Sequence, residues 1–195
     1  MAPLLRPNGS AEPAPAEAFR EFGFEGLTGP RLVFVDGRFR ADLSEIGELP
    51  DGVRVASLAA AISETPDLVR PHLARLTAGE EEAFTALNSA FLEDGVFVHV
   101  AAGCELPGAV HAEFFTSTHA EPVMTHPRSL FVVEDGARAT LLENYATLGE
   151  DAGFTNPVTE VVVGERAVAR HYLVERGNET SYSVSTLYVD PREES

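Results

Sequence analysis

Three stretches in the second half of the chain repeat one pattern: VHVAAGCEL at 98–106, FVVEDGARA at 131–139 and VVVGERAVA at 161–169. Each carries apolar residues two apart, then a turn, then a small residue four positions after the last apolar one. Val100, Val133 and Val163 align, 33 and 30 residues apart. Residues two apart share one face of a strand, so each stretch offers one apolar face. A unit that cannot bury that face alone must stack on a neighbour, and periods in this range mark stacked supersecondary units. The alignment puts Cys104 in the slot held by Ala137 and Ala167, so that slot asks for a small residue.

Beyond Asp94 short runs of Val, Phe, Tyr and Thr are punctuated by glycine, with no further helical spacing. The second half is therefore expected to be all β. Leucine-rich and propeller signatures are missing, which favours a parallel β-helix, with an ordinary β-sandwich as the competing architecture. Three segments are expected: a flexible, Pro- and Ala-rich lead-in over 1–17, a small α/β region over 18–93, and a partial β-helix core over 94–195.

Within the α/β region, RLVFVDGRFR reads as a hairpin turning at Asp36-Gly37. GVRVASLAAAI reads as a strand entering a helix. In ETPDLVRPHLARL, Thr65 is a plausible N-cap, Pro66 takes the first helical position and Pro71 interrupts. GEEEAFTALNSAFL places Glu80, Glu81 and Glu82 in a first turn and Phe84, Leu87 and Phe91 on one face.

The 195 residues carry 14 Lys and Arg against 31 Asp and Glu, a net charge of −17 that would repel phosphate backbones and anionic lipids. No nucleic-acid or membrane partner is expected. No window approaches the roughly 20 apolar residues of a membrane span, and MAPLLRPNGSAEPAPAEAF lacks a signal peptide's apolar stretch, so a cytoplasmic protein is expected. A single cysteine excludes an internal disulfide and any all-cysteine metal site built by this chain alone.

The ligand-type residues on offer are His99, Cys104, His111, Glu113, His119 and His126, at spacings that match no zinc signature. The strand at 96–100 should point Val96, Val98 and Val100 to one face and His99 to the other, with Cys104 beyond a corner at Gly103. Cys104 thus reads as a small buried hydrophobe, and His119 and His126 as loop histidines in STHAEPVMTHP. HAE at 111–113 is similar to part of a cupin metal motif, and a small metal-dependent, cupin-like β-barrel enzyme using His111 and Glu113 is the alternative function. The acidic stretch over 144–156 reads as a solvated loop. With no G-x-S-x-G turn, Walker loop or dinucleotide fingerprint, no catalytic, cofactor-binding or metal residue is assigned.

The elements VDGRF, LPDGVRVASL, ALNSAFLEDGVFVHV, RSLFVVEDGARATLLENY and FTNPVTEVVVGERAVARHYLVERG, in that order, resemble the SufD side of the SufB/SufD family. These are subunits of the Suf iron–sulfur cluster assembly machinery, and the likeness spans about residues 30–190. It implies a right-handed parallel β-helix and a non-catalytic scaffold of a SufBCD-type complex, partnered by SufB and the ATPase SufC. Clusters would be handled by the complex, with no cofactor bound by this chain alone. Family members carry a tryptophan motif in a longer N-terminal helical region, and this chain has no tryptophan. They also continue through more coils into C-terminal helices, so the chain looks like an N-terminal fragment. An open solenoid end exposes unpaired backbone and apolar interior, so marginal stability or self-association through about 182–190 is expected.

Overall fold

The computed structural model describes residues 6–7, 22–24, 26–78, 82–117, 123–150 and 152–192. In chain order, Arg6–Pro7 forms β1, Arg31–Val35 forms β2, Arg38–Phe39 forms β3 and Val53–Ser57 forms β4. Helices α1 (Leu58–Glu64), α2 (Pro66–Val69) and α3 (Ala83–Phe91) follow. The first repeat is β5 (Val96–Val100), β6 (Val110–Ser117) and β7 (Val123–Thr125), and the second is β8 (Arg128–Val133), β9 (Arg138–Leu148) and β10 (Gly153–Thr155). The third is β11 (Val158–Val163), β12 (Val168–Arg176) and β13 (Tyr182–Ser183), after which β14 (Thr186–Pro191) begins again.

Corresponding strands of successive repeats lie side by side. The three sheets run β14–β11–β8–β5–β4, β12–β9–β6–β2–β3 and β13–β10–β7–β1. Every pairing between repeats is parallel, unlike that of an antiparallel sandwich; the antiparallel pairs are β4 on β5 and β3 on β2. The protein is mainly β, as expected. Two expectations change: Arg6 and Pro7 of the lead-in pair with β7, and β2 and β4 of the α/β region are members of the repeat's own sheets.

The aligned valines sit where the repeat put them, Val100 beside Val133 and Val133 beside Val163. Inside the stack, Phe34, Phe114 and Tyr145 are successive register partners, with ring centroids 4.8 and 4.7 Å apart and planes within 15° and 8°. Each stacked pair adds about 0.5–1.5 kcal/mol beyond its burial. The same turn closes each repeat: the N–H of Cys104, Ala137 and Ala167 donates to the carbonyl three residues earlier, at 3.0, 3.0 and 3.2 Å. The residue before the slot has positive φ in all three, as Gly103, Gly136 and Arg166. Glycine adopts this geometry without strain, and arginine does not.

Outside the first sheet, Leu58, Ala61 and Val69 of α1 and α2 cover Phe97, Leu130, Val132 and Val162. Ser57 caps α1 by accepting from the Ala60 N–H at 3.2 Å, and Pro66 opens α2, which ends at Val69 before Pro71. Thr65 precedes α2 but its hydroxyl donates to Ala61 O, so its side chain does not cap. Glu82 caps α3, its carboxylate accepting from the N–H groups of Phe84 and Thr85; Glu80 and Glu81 lie outside the described residues. The apolar face expected of α3 is corrected: Thr85 and Asn88 are buried, whereas Phe84 and Phe91 stay partly exposed. The helix meets backbone carbonyls at a corner, and those want donors. Gly95, just after α3, has no room for a side chain, since a Cβ would lie 1.9 Å from Arg128 O.

Candidate functional site

Cys104 sits partly buried in its turn, its Sγ 3.6 Å from Asp51 O. His99 points to the opposite face of β5, where Nε2 meets Glu134 Oε1 at 2.9 Å, and that bond holds the Glu134 carboxyl below the usual carboxylate range. The two residues have separate partners, as the strand alternation requires.

His111 and Glu113 lie two apart on the outer face of β6 and so are neighbours. Arg31, from β2, donates to Glu113 Oε2 through Nε at 3.0 Å and Nη2 at 2.6 Å, and its Nη1 reaches Leu43 O at 2.7 Å. A guanidinium thus occupies the carboxylate a metal would need, and a cation there meets its charge directly. Burial lowers the His111 pKa against the opposing pull of the Glu113 charge, with Arg31 adding a little to the lowering, and among the described residues its Nε2 has no hydrogen-bond partner. Among the described residues no three His, Cys, Asp or Glu side chains converge on a possible metal position.

His119 lies outside the described residues. His126 lies in the loop between β7 and β8, as expected, but it is buried there, stacked on Phe91 with centroids 5.5 Å apart and met edge-on by Phe154 at 6.1 Å. The 144–156 stretch is corrected. Its ends belong to β9 and β10, Asn144 and Asn156 are buried, and the Asn144 amide donates to Phe22 O at 3.1 Å.

Two polar clusters escaped the sequence reading. In the first, Glu143 projects from β9 into the interior at 0% exposure, and among the described residues no Lys or Arg bonds to it. Four side chains serve its carboxylate: Ser129, Tyr145 at 3.1 Å, Thr159 at 2.8 Å, and His171 Nε2 at 2.6 Å. Burial first, and the Glu143 charge second, push the Tyr145 hydroxyl well above the ordinary phenol range. Serine, histidine and a carboxylate meet here, but the carboxylate lies between the other two, so the imidazole cannot take the serine proton as a nucleophilic triad requires. The cluster is a satisfied polar core.

In the second cluster, Arg128, 1% exposed at the start of β8, donates to Glu160 Oε1 through Nε at 3.1 Å and Nη2 at 2.7 Å. It also reaches Asn88 Oδ1 at 3.2 Å and Thr77 Oγ1 at 3.0 Å. Glu160 accepts the N–H groups of Ala74 and Leu76, which ties the segment after α2 onto the first sheet. An inward glutamate in the alternation Leu141–Glu143–Tyr145, and an arginine opening an otherwise apolar strand, are the only signs either cluster leaves in the sequence.

Beyond these clusters β12, β13 and β14 have no strand on their far edges among the described residues. Tyr172, Leu173, Tyr182, Leu187 and Val189 are exposed there. A cavity of about 320 Å³ opens between β12 and β14, lined by Thr159, His171, Leu173 and Leu187.

The fold is a stack of parallel β repeats with two buried polar clusters. Residues 11–111 match the SufBD protein N-terminal region and residues 114–195 the SufBD core domain of SUF-system FeS cluster assembly. The chain belongs to the SufBD family. It is 30% identical over 82% of its length to an iron–sulfur cluster assembly SufBD family protein of Synechocystis. It is 26% identical over 84% to the chloroplastic protein ABCI7 of Arabidopsis thaliana, and 28% identical over 78% to the iron–sulfur cluster assembly protein SufD of Bacillus subtilis. The chain spans 37%, 35% and 34% of those relatives' lengths. No helix among the described residues is long and apolar enough to cross a membrane.

Proposed function

We propose that the chain forms the N-terminal region and first coils of a right-handed parallel β-helix, and that it acts as a non-catalytic scaffold subunit of a SufBCD-type iron–sulfur cluster assembly complex. SufB and SufC homologues are its partners in the cytoplasm. The cluster is cargo of the complex, with no cofactor resident in this chain. The observation that supports the reading is the edge of β12, β13 and β14, unpaired among the described residues, since such an edge with inward apolar side chains is a surface that further coils or another subunit extends. Family membership supplies the system in which that surface works.

Co-expression of the 195-residue chain with tagged SufB and SufC homologues tests this. Co-purification that Leu187→Asp and Val189→Asp abolish is the expected result. Absence of binding to either partner by the folded native chain overturns the reading. Size-exclusion chromatography over a concentration series asks the same edge for self-association, which the two aspartates should suppress.

A further inference from the structure

We infer that His126 is an acid-sensitive latch for α3: a proton added at Nδ1 removes a hydrogen bond that holds the first turn of the helix on the corner between β7 and β8. The corner is wired through one amide. Asn156 Nδ2 donates one hydrogen to Phe84 O, in α3, at 2.8 Å and is 3.1 Å from His126 Nδ1. With the amide so placed both its hydrogens are used, which assigns Nδ1 as acceptor and the ring proton to Nε2; Nε2 and Asn156 Oδ1 are buried without a partner among the described residues. The Asn156 backbone is clamped as well, its N–H on Thr125 O at 2.9 Å and its carbonyl receiving Asn88 Nδ2 at 2.9 Å.

Protonation at Nδ1 would set N–H against N–H across that contact. The Asn156 amide can turn over and offer Oδ1 to the imidazolium, but Phe84 O then loses the side-chain donor and faces an oxygen. The turned amide takes its hydrogen bond away from α3, and the unturned one loses the His126 contact that fixes it on Phe84 O. Among the described residues no carboxylate is bonded to the ring to reward the added charge. α3 contributes Phe91 and the exposed Glu82, whose carboxylate is already on the N–H groups of Phe84 and Thr85; β10 contributes Phe154. β7 contributes Thr125. Arg128, which follows at the start of β8, turns its guanidinium to Glu160, Asn88 and Thr77.

Burial alone lowers the His126 pKa from its ordinary value near 6.5. Docking is therefore fully favoured above that value, weakens as pH falls from it towards the depressed pKa of the docked ring, and levels off below. A one-proton latch can change the docking constant by at most about tenfold per pH unit.

Hydrogen exchange of the full chain, corrected for intrinsic rates, reads the latch. Between pH 7.5 and 5.5, exchange over 83–91 should rise roughly three- to tenfold relative to 58–64, and the rise should vanish in His126→Phe, which keeps the aromatic sandwich but cannot titrate. An α3 whose protection follows α1 across the range overturns the latch, and so does a rise that survives in the variant. Should the variant fail to fold, imidazole nitrogen shifts of the native chain decide. The Nε2–H tautomer with a pKa below 6.5 supports the latch, and an Nδ1–H tautomer at pH 7.5 overturns it.

Discussion

The two ends of the repeat stack differ more than their sequences do. Val98, Phe131, Val161 and Val189 are consecutive partners in one sheet, one per repeat, all facing the interior. Their exposures are 0, 0, 3 and 53%. At the N-terminal end β4 and β2 lie against the first repeat and complete its sheets; at the other end no described strand does so. The same kind of side chain in the same slot is core at one end and surface at the other. Burial here depends on having a neighbour on both sides, as in any quasi-one-dimensional stack.

The largest effect that sharpens the contrast is a truncation within that row. Phe131→Ala should lose about 3–5 kcal/mol of unfolding free energy, whereas Val189→Ala should lie within about 0.5 kcal/mol of the native chain, both read by denaturant unfolding. Equal losses would mean that the far edge is covered in solution. Charge gives a parallel comparison. Arg128→Ala strands Glu160 in the interior and should cost about 3–5 kcal/mol. Arg75→Ala, which removes an ion pair with Asp190 on the exposed edge, should cost at most about 1 kcal/mol.

A smaller effect comes from pH at the closed end. Because burial depresses the His111 pKa, its contribution to stability is complete above about 6.5 and lost as pH falls below that value. His111→Gln should flatten the unfolding free energy between pH 7 and 5, and an unchanged slope would remove His111 from the acid response. The smallest effects lie in the repeated turn. Cys104→Ala should cost less than about 1 kcal/mol in thermal unfolding, as a slot already filled by alanine twice would tolerate. Arg166→Gly should raise stability by about 0.5–1 kcal/mol by relieving the positive φ of 55°.

What periodicity encodes, the sequence displays. The alignment of Val100, Val133 and Val163, the hairpin at Asp36-Gly37, the strand-to-helix step at Ser57 and the shared slot of Cys104, Ala137 and Ala167 all follow from local spacing and turn chemistry. The polar interior does not. Glu113 looks like a metal ligand until Arg31, 82 residues away, takes its carboxylate. His126 is a loop residue whose burial shows only once α3 and β10 close on it. Glu143 is an unremarked acid until hydroxyls from β8 and β11 and an imidazole from β12 surround it. Each identity is set by partners that the fold brings from other elements, and no window of sequence contains them. The α3 misreading has the same origin: amphipathic spacing locates the helix, but carbonyls at the corner decide that Asn88 and not Phe84 is buried.

The spacing of partners also sets a timetable. Joining β2 to β6 brings together Arg31 and His111, 80 positions apart, while joining β8 to β11 spans only 30. Closing the longer loop costs about 0.9 kcal/mol more chain entropy, and nothing rewards that closure until the first repeat exists. On a ribosome β2 and β4 are made first but must wait for β5 and β6, after which each new repeat closes a short loop against a finished surface. The oldest part of the chain is therefore the lid that the younger part folds onto, and assembly runs in the direction of synthesis towards the edge of β12, β13 and β14.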